Sequence, residues 1–266
     1  VFATFFPDCQ NIHLTKDVGM IPYILHRDFG YDSCLICYRS GDYPCLETEV
    51  SGLRLLFMKR FCLFRATTEP AGKMKQLIAE MLRLFCTVFD AFCLILRHGK
   101  QIQVLELFHL KPESIIVGLT YRMINKKGIL YLKLDMNPDI IRSYEQHPPS
   151  PKRGLVTRFL LRLVSFDIIS VETRELREFI ATRYTLLKEF GDRICYLPNG
   201  IDVSRLSSLV KSFDKKEKLV LHVGRIGAYQ KGSEIILEAF ARVSDDFPDW
   251  RLLLIGTMEN TFTHRF

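Results

Sequence analysis

A chain of 266 residues that is 48% hydrophobic and 25% charged has the composition of a folded globular protein, long enough for one large domain or two ordinary ones. Its formal charge of +7 suits anionic partners, either nucleotide diphosphates or phospholipid head groups, while the lack of any long Lys/Arg run excludes a nucleic-acid arm. Eight cysteines scattered through apolar segments read as reduced core residues of a cytoplasmic protein rather than as a disulfide framework.

In chain order, residues 2–6 form a first strand closed by Pro7-Asp8. The polar loop after it carries Asn11, His13 and Lys16, and a helix runs from about Leu14 to Phe29 with Gly30 as its stop. Pro22 conflicts with so early a start and moves it toward Gly19. Strands are expected at 33–38 and 53–58, on either side of a polar stretch. Cys34-Leu-Ile-Cys37 has CxxC spacing but lies inside a strand, and no second CxxC or His pair completes a metal site; no metal is expected. Over 54–65, Arg54, Lys59, Arg60 and Arg65 interleave with apolar residues, a pattern that fits an anionic membrane surface or a strand and turn with cations reaching outward. The helix expected from Ala71 to Arg97 contains the most hydrophobic stretch, Leu82–Leu96, which carries Arg83 and Asp90, is too short to span a bilayer and reads as buried.

A strand at 102–108 ends directly at His109, and the strand at 129–135 ends in Lys133-Leu134-Asp135. In open α/β sheets, ligands gather outside the carboxyl ends of the strands, so His109 and Asp135 become site candidates, with Lys133 the expected partner of Asp135. The basic amphipathic helix over 154–166 repeats the membrane-surface pattern. A strand at 168–172, a helix to about Phe190, a strand at 193–197 and the turn Pro198-Asn199-Gly200 complete this half. A short helix over 204–213 and the charged linker 214–218 mark a domain boundary.

The last segment is a βαβ unit: the strand 219–223, then Gly224-Arg225, a short turn, Lys231-Gly232, a helix from Ser233, and a buried-type strand ending at Gly256. Arg225 and Lys231 beside the free amides of a helix N-terminus make an anion site suited to a phosphate or diphosphate, with Gly232 as part of its backbone. Neither GxGxxG nor GxxxxGK[ST] is present, against a dinucleotide-binding Rossmann site and a P-loop.

Val223-Gly224-Arg225-Ile226, Gln230-Lys231-Gly232 and Leu237-Glu238-Ala239-Phe240, preceded by Pro198-Asn199-Gly200-Ile201-Asp202, resemble the donor-domain opening and interdomain signature of family 4 glycosyltransferases. The resemblance implies the GT-B fold: a complete Rossmann-like, acceptor-type domain over 1–213 and the first βαβ unit of a donor-binding domain over 214–266. It also implies a retaining, metal-independent hexosyltransferase of polysaccharide biosynthesis. Such an enzyme needs no cofactor; it passes sugar from a nucleotide-diphosphate donor to a glycan or lipid-linked acceptor, in the cytoplasm or at the inner face of the membrane. On that reading His109 faces the donor sugar, Arg225 and Lys231 carry the leaving diphosphate with Gly232, and Asn11, His13, Lys16 and Asp135 lie on the acceptor side. The family's glycines are missing from the loop before Asp17, and no two glutamates stand eight apart, so the usual E-x7-E pair is not in this chain. Residue 1 is Val, and the stretch after Arg225 falls far short of the roughly 150 residues of an ordinary domain, so a truncated, inactive fragment is expected. A non-catalytic nucleotide- or glycan-binding module and a GT-B sugar-nucleotide epimerase remain open alternatives.

Overall fold

The structure, a computed structural model, describes residues 1–60, 73–136, 143, 146, 151–206, 212–259 and 262. Residues 61–65 of the basic–apolar stretch, most of the loop from Asn137 to Ser150 and residues 207–211 of the helix expected over 204–213 lie outside the described residues. The chain divides into two compact units, 1–200 and 201–266. The break precedes the expected 213/214 boundary; the first unit runs as far as the Pro198-Asn199-Gly200 turn, where Asn199 is tied to the first sheet through Lys133.

The first unit is one seven-stranded parallel sheet. Its strands are β1 (Phe2–Phe5), β2 (Ser33–Cys37), β3 (Arg54–Phe57), β4 (Val104–Phe108), β5 (Ile129–Leu134), β6 (Ile168–Val171) and β7 (Ile194–Tyr196). Their order is β3-β2-β1-β4-β5-β6-β7, so all seven expected strands share one doubly wound sheet. The chain moves one way from β1 to β3 and the other way from β4 to β7. With right-handed crossovers this puts helices on opposite faces. On one face, the turn before α1 and α1 (Asp17–Phe29) itself cover Leu35, Cys37 and Phe108 through Leu14 and Val18 respectively. On the other, α3 (Lys73–His98), α4 (Pro112–Ile124), α5 (Pro151–Val164) and α6 (Arg174–Thr182) close over Ala3, Phe5, Leu105, Leu132 and Ile169. The short helix α2 (Cys45–Thr48) comes after β2.

Three expected elements come out differently. The first helix splits into a 3-10 turn, Asn11–Thr15, and α1, because Lys16 between them is extended and Gly19 packs against the Leu14 backbone. A Cβ at Gly19 would come within 2.3 Å of the Leu14 carbonyl oxygen. Pro22 is accommodated inside α1 with its ring buried. The helix after β6 stops at Thr182 rather than near Phe190; Thr173 caps its start by accepting from the Leu176 amide at 3.1 Å. The apolar stretch 82–96 is buried on one side only: Asp90, Ala91, Leu94 and Ile95 face the core, while Phe85, Phe89, Phe92 and Leu96 are exposed.

The second unit contains α7 (Val203–Leu206) and the expected βαβ: β8 (Leu219–Val223), α8 (Ser233–Val243) and β9 (Arg251–Ile255). β8 pairs in parallel with β9 in a sheet separate from the first, Leu219 opposite Arg251 and Val223 opposite Ile255.

Candidate functional site

In the first unit the sheet reverses direction between β1 and β4, and the loops at their carboxyl ends meet there. His109 directly follows β4. Its amide donates to the Lys133 carbonyl at 2.9 Å, continuing the ladder one residue past the strand. Its φ of 60° then turns the chain sharply, a left-handed conformation that costs a non-glycine residue about 1 kcal/mol or more and clusters at functional sites. The loop after β1 supplies His13, whose Nδ1 accepts from the Gln10 amide at 2.9 Å. That bond places the proton of the neutral ring on Nε2. Burial, and then the nearby Lys16 charge, hold the His13 pKa below the usual imidazole range. The rings form a chain across the switch point: His13 to Phe6 at 5.1 Å, Phe6 to Phe108 at 5.8 Å and Phe108 to His109 at 6.3 Å. Two of the candidate residues, far apart in sequence, thus flank one aromatic pair.

The other first-unit candidates fall differently. Asn11 uses its side-chain oxygen to accept the Cys45 amide at 2.9 Å, which holds the start of α2. Lys16 is exposed at the junction before α1, and Asp135 is exposed just past β5. Lys133 does not pair with Asp135: it is 2% exposed, and its ammonium contacts Asn199 Oδ1 at 3.0 Å, Asp17 at 3.3 Å and Glu172 at 3.5 Å. The reason is the pleat. Lys133 projects on the face of Thr4, Glu106 and Tyr131, beneath the start of α1 and the Pro198-Asn199-Gly200 turn, whereas Asp135 is already outside the strand.

Sequence reasoning missed that polar face. Thr4 donates to Glu106 Oε2 at 2.6 Å, and Tyr131 and Ser170 share a 2.7 Å hydrogen bond. Glu106 is fully buried, its second oxygen has no partner, and burial pushes its pKa up to about 8. The signal is present in the sequence. Val-Leu-Glu-Leu-Phe and Leu-Tyr-Leu-Lys-Leu place polar side chains at alternate positions in strands that a doubly covered parallel sheet otherwise fills with aliphatic residues.

In the second unit, Arg225 and Lys231 flank the turn from β8 into α8. Gly224 donates to the Ile255 carbonyl at 2.9 Å and Ile226 to that of Thr257 at 2.8 Å, so the pairing runs past β8. Arg225 is exposed and lies 3.5 Å from Glu259. The Lys231 methylenes run back over Gly224, where a Cβ would meet its Cδ at 3.3 Å. The two cations therefore belong to one turn. Gly232 is left-handed, φ 62°, as glycine permits, but its amide donates to the Tyr229 carbonyl at 3.3 Å and is not free for a ligand. The first intrahelical bond runs from Ile236 to Gly232, which leaves the amides of Ser233, Glu234 and Ile235 as the helix donors. Ser233 is buried and ties the turn together: its hydroxyl oxygen accepts from the Gly227 amide at 3.2 Å and sits 3.2 Å from His222 Nε2. Neither Ser233 nor His222 stands out in the sequence. Among the described residues no cluster of His, Cys, Asp and Glu could hold a metal. Cys34 and Cys37 lie in one strand, three residues apart and so on opposite faces.

No family model matches the chain. Over 72 residues, 26% of the chain, it is 32% identical to the phosphatidyl-myo-inositol mannosyltransferase of Mycobacterium tuberculosis, covering 19% of that protein. Over 186 residues, 63% of the chain, it is 23% identical to an uncharacterised glycosyltransferase of Methanocaldococcus jannaschii, covering 44% of it. The chain thus spans less than half the length of the curated relatives it matches. Among solved structures, the trehalose-6-phosphate phosphatase N-terminal domain of Candida albicans superposes with a TM-score of 0.60 at 12% identity, over 99% of this chain and 65% of that one. The UDP-GlcNAc 2-epimerase of Neisseria meningitidis gives 0.53 at 10% identity, over 99% and 67%. A glycosyltransferase from Rickettsia africae gives 0.50 at 10%, over 98% and 69%. At these identities the structures speak for the fold, an α/β Rossmann-like architecture shared with glycosyltransferases and an epimerase. In sequence the chain is similar to glycosyltransferases.

Proposed function

We propose that this chain is the acceptor-type domain and the opening of the donor domain of a retaining, metal-independent family 4 glycosyltransferase. It would move a hexose from a nucleotide-diphosphate sugar to a glycan or lipid-linked acceptor. The observation that carries the reading is the β8–α8 turn, where Arg225 and the Lys231 chain over Gly224 stand beside the open amides of α8. As the anomeric C–O bond breaks, charge builds on the departing diphosphate. Fixed cations and amides aimed at that charge stabilise the transition state more than the ground state. Glu259 holds Arg225 in the free protein, and a diphosphate would displace it as the better bidentate partner. His109 would meet the donor sugar from the switch point, and His13, with its Nε2–H outward from the Gln10 bond, would donate to an acceptor hydroxyl. The epimerase reading rests on fold likeness at 10% identity alone, whereas both sequence relatives carry transferase names.

The test is a transfer assay on the protein at its full encoded length, with a panel of UDP- and GDP-sugars and with lipid and glycan acceptors. Arg225→Ala and Lys231→Ala should each lower turnover by roughly 30- to 1000-fold, about 2–4 kcal/mol of transition-state stabilisation, with acceptor KM little changed. Arg225→Lys should recover only part of the rate, because an ammonium lacks the guanidinium fork. Near-normal turnover in both alanine variants would refute the assignment.

A further inference from the structure

Helix α3 is apolar on two sides. One side, with Ala91, Leu94 and Ile95, is buried in the core of the first unit. The opposite side presents Met74, Ile78, Met81, Phe85, Phe92 and Leu96, all between 40% and 70% exposed. Spacings of three, four and seven residues keep that stripe on one line along a helix about 39 Å long. It does not stand alone. α3 packs beside α4, and α4 beside α5, in the layer that covers one face of the sheet. The outward side of α4 exposes Met123 (78%), and that of α5 exposes Leu155 (65%), Phe159 (61%) and Leu163 (52%). Three neighbouring helices thus contribute to one outer surface, whose apolar extent is unusual for a monomer in water.

The charge around this surface identifies the occupant. Lys75 lies on the flank of the α3 stripe, Lys126 and Lys127 come just after α4, and Arg162 is exposed on α5, where it pairs with Glu189 at 2.7 Å. On the described parts of these helices acids are fewer: Glu80 on α3, and Glu113 on α4; Asp90 is turned into the core, where it accepts from the Tyr38 hydroxyl at 2.7 Å. An apolar centre with a basic rim complements an anionic bilayer, where aromatic and aliphatic side chains enter the interface and cations meet head groups. A second copy docking the same face on itself would bring the two basic rims together, which electrostatics disfavours.

We propose that the outer face of the α3–α4–α5 layer is the surface by which this protein binds an anionic lipid bilayer. The proposal is independent of the donor-site reading. It also relocates the surface suggested by the sequence: Arg54–Phe57 is the edge strand β3, away from α5, and the helix expected to be buried contributes the longest part.

The test is vesicle co-sedimentation with phosphatidylcholine alone and with about 30% phosphatidylglycerol added, at low and high salt. Binding should require phosphatidylglycerol and fall steeply with salt. Phe85→Ser, Phe159→Ser and the double change Lys126→Glu/Lys127→Glu should each weaken it by roughly tenfold or more, since a buried phenyl ring or two surface cations each amount to that factor. All four positions are on the surface, so circular dichroism and thermal midpoints should stay at wild-type values; Phe57→Ser, on the edge strand, should bind normally. Equal binding to both lipids, no binding, or variants that bind like wild type would overturn the proposal. So would a dimer in light scattering that Phe85→Ser dissolves, since that would assign the face to a second copy.

Discussion

Replacing Glu106 with Gln isolates the one fully buried carboxyl group, among the described residues, whose second oxygen has no partner. Its folded pKa is raised, to about 8 from an ordinary 4.5, first by burial and then by the Asp17 charge, against the Thr4 hydrogen bond and Lys133. For a raised carboxyl group the sign follows directly. Below pH 4.5 the group is neutral in both states and costs nothing. As pH rises toward 8 the unfolded chain ionises while the buried group resists, so the native state loses stability at about 1.4 kcal/mol per pH unit. Between about pH 4.5 and pH 7 that amounts to about 3 kcal/mol, a large share of the total stability of a domain. Gln fills the same volume, can still accept from Thr4, and cannot ionise. Urea unfolding of both proteins at several pH values between about 4.5 and 8 gives the difference in stability as a function of pH. That difference should grow in favour of Glu106→Gln by about 3 kcal/mol from the acid end to about pH 7 and level off above about pH 8. A difference that stays constant across the range would mean that Glu106 is ionised throughout in the native state, and the reasoning would fail.

Lys133→Met should destabilise the first unit by about 3–5 kcal/mol, because it leaves Asp17 and Glu172 near one another without their shared cation; the urea midpoint at about pH 7 measures it, and a shift under about 1 kcal/mol would show that water already screens the pair. In the second unit, Gly256→Ala should cost about 3 kcal/mol or more, since a Cβ would lie 1.7 Å from the Gly224 carbonyl oxygen at a φ of 153°. Proteolysis should then cut within 219–256 while the first unit stays intact; equal protection of both units in wild type and variant would contradict it.

The sheet was legible because parallel strands buried on both faces are written as short aliphatic runs, and all seven reappear in the structure. Helix ends were less so. The break at Lys16 and the stop at Thr182 depend on the Gly19–Leu14 approach and on the turn after Tyr184, which are tertiary features without a local motif. For α3 the error had a physical origin. Apolar residues all round a helix ordinarily signal burial, and composition cannot tell burial in a core from exposure toward a partner. At the candidate site, residue types were readable and pairings were not. His109 was recognisable by position at a strand end, whereas its left-handed φ and its ring chain to His13 through Phe6 and Phe108 exist only when β1 and β4 become neighbours. The same adjacency converts Lys133 from the expected partner of Asp135 into the buried hub of Asp17, Glu172 and Asn199.

That hub gives the Pro198-Asn199-Gly200 turn a physical role within the first unit. A lysine 2% exposed needs several oxygens to offset its lost hydration, and the three it has come from the start of α1, the residue after β6 and the turn after β7. Each of these lies at the carboxyl end of the sheet, the same rim on which His13 and His109 stand. The side chain projecting from β5 therefore locks together the segments that frame the switch point, with charge rather than with packing. An apolar residue there would leave the Asn199 amide oxygen and two carboxylates with no common anchor. A rim on which His109 stands in a strained, left-handed geometry gains from such directional ties, because hydrogen-bonded charges fix orientation where aliphatic contacts permit sliding.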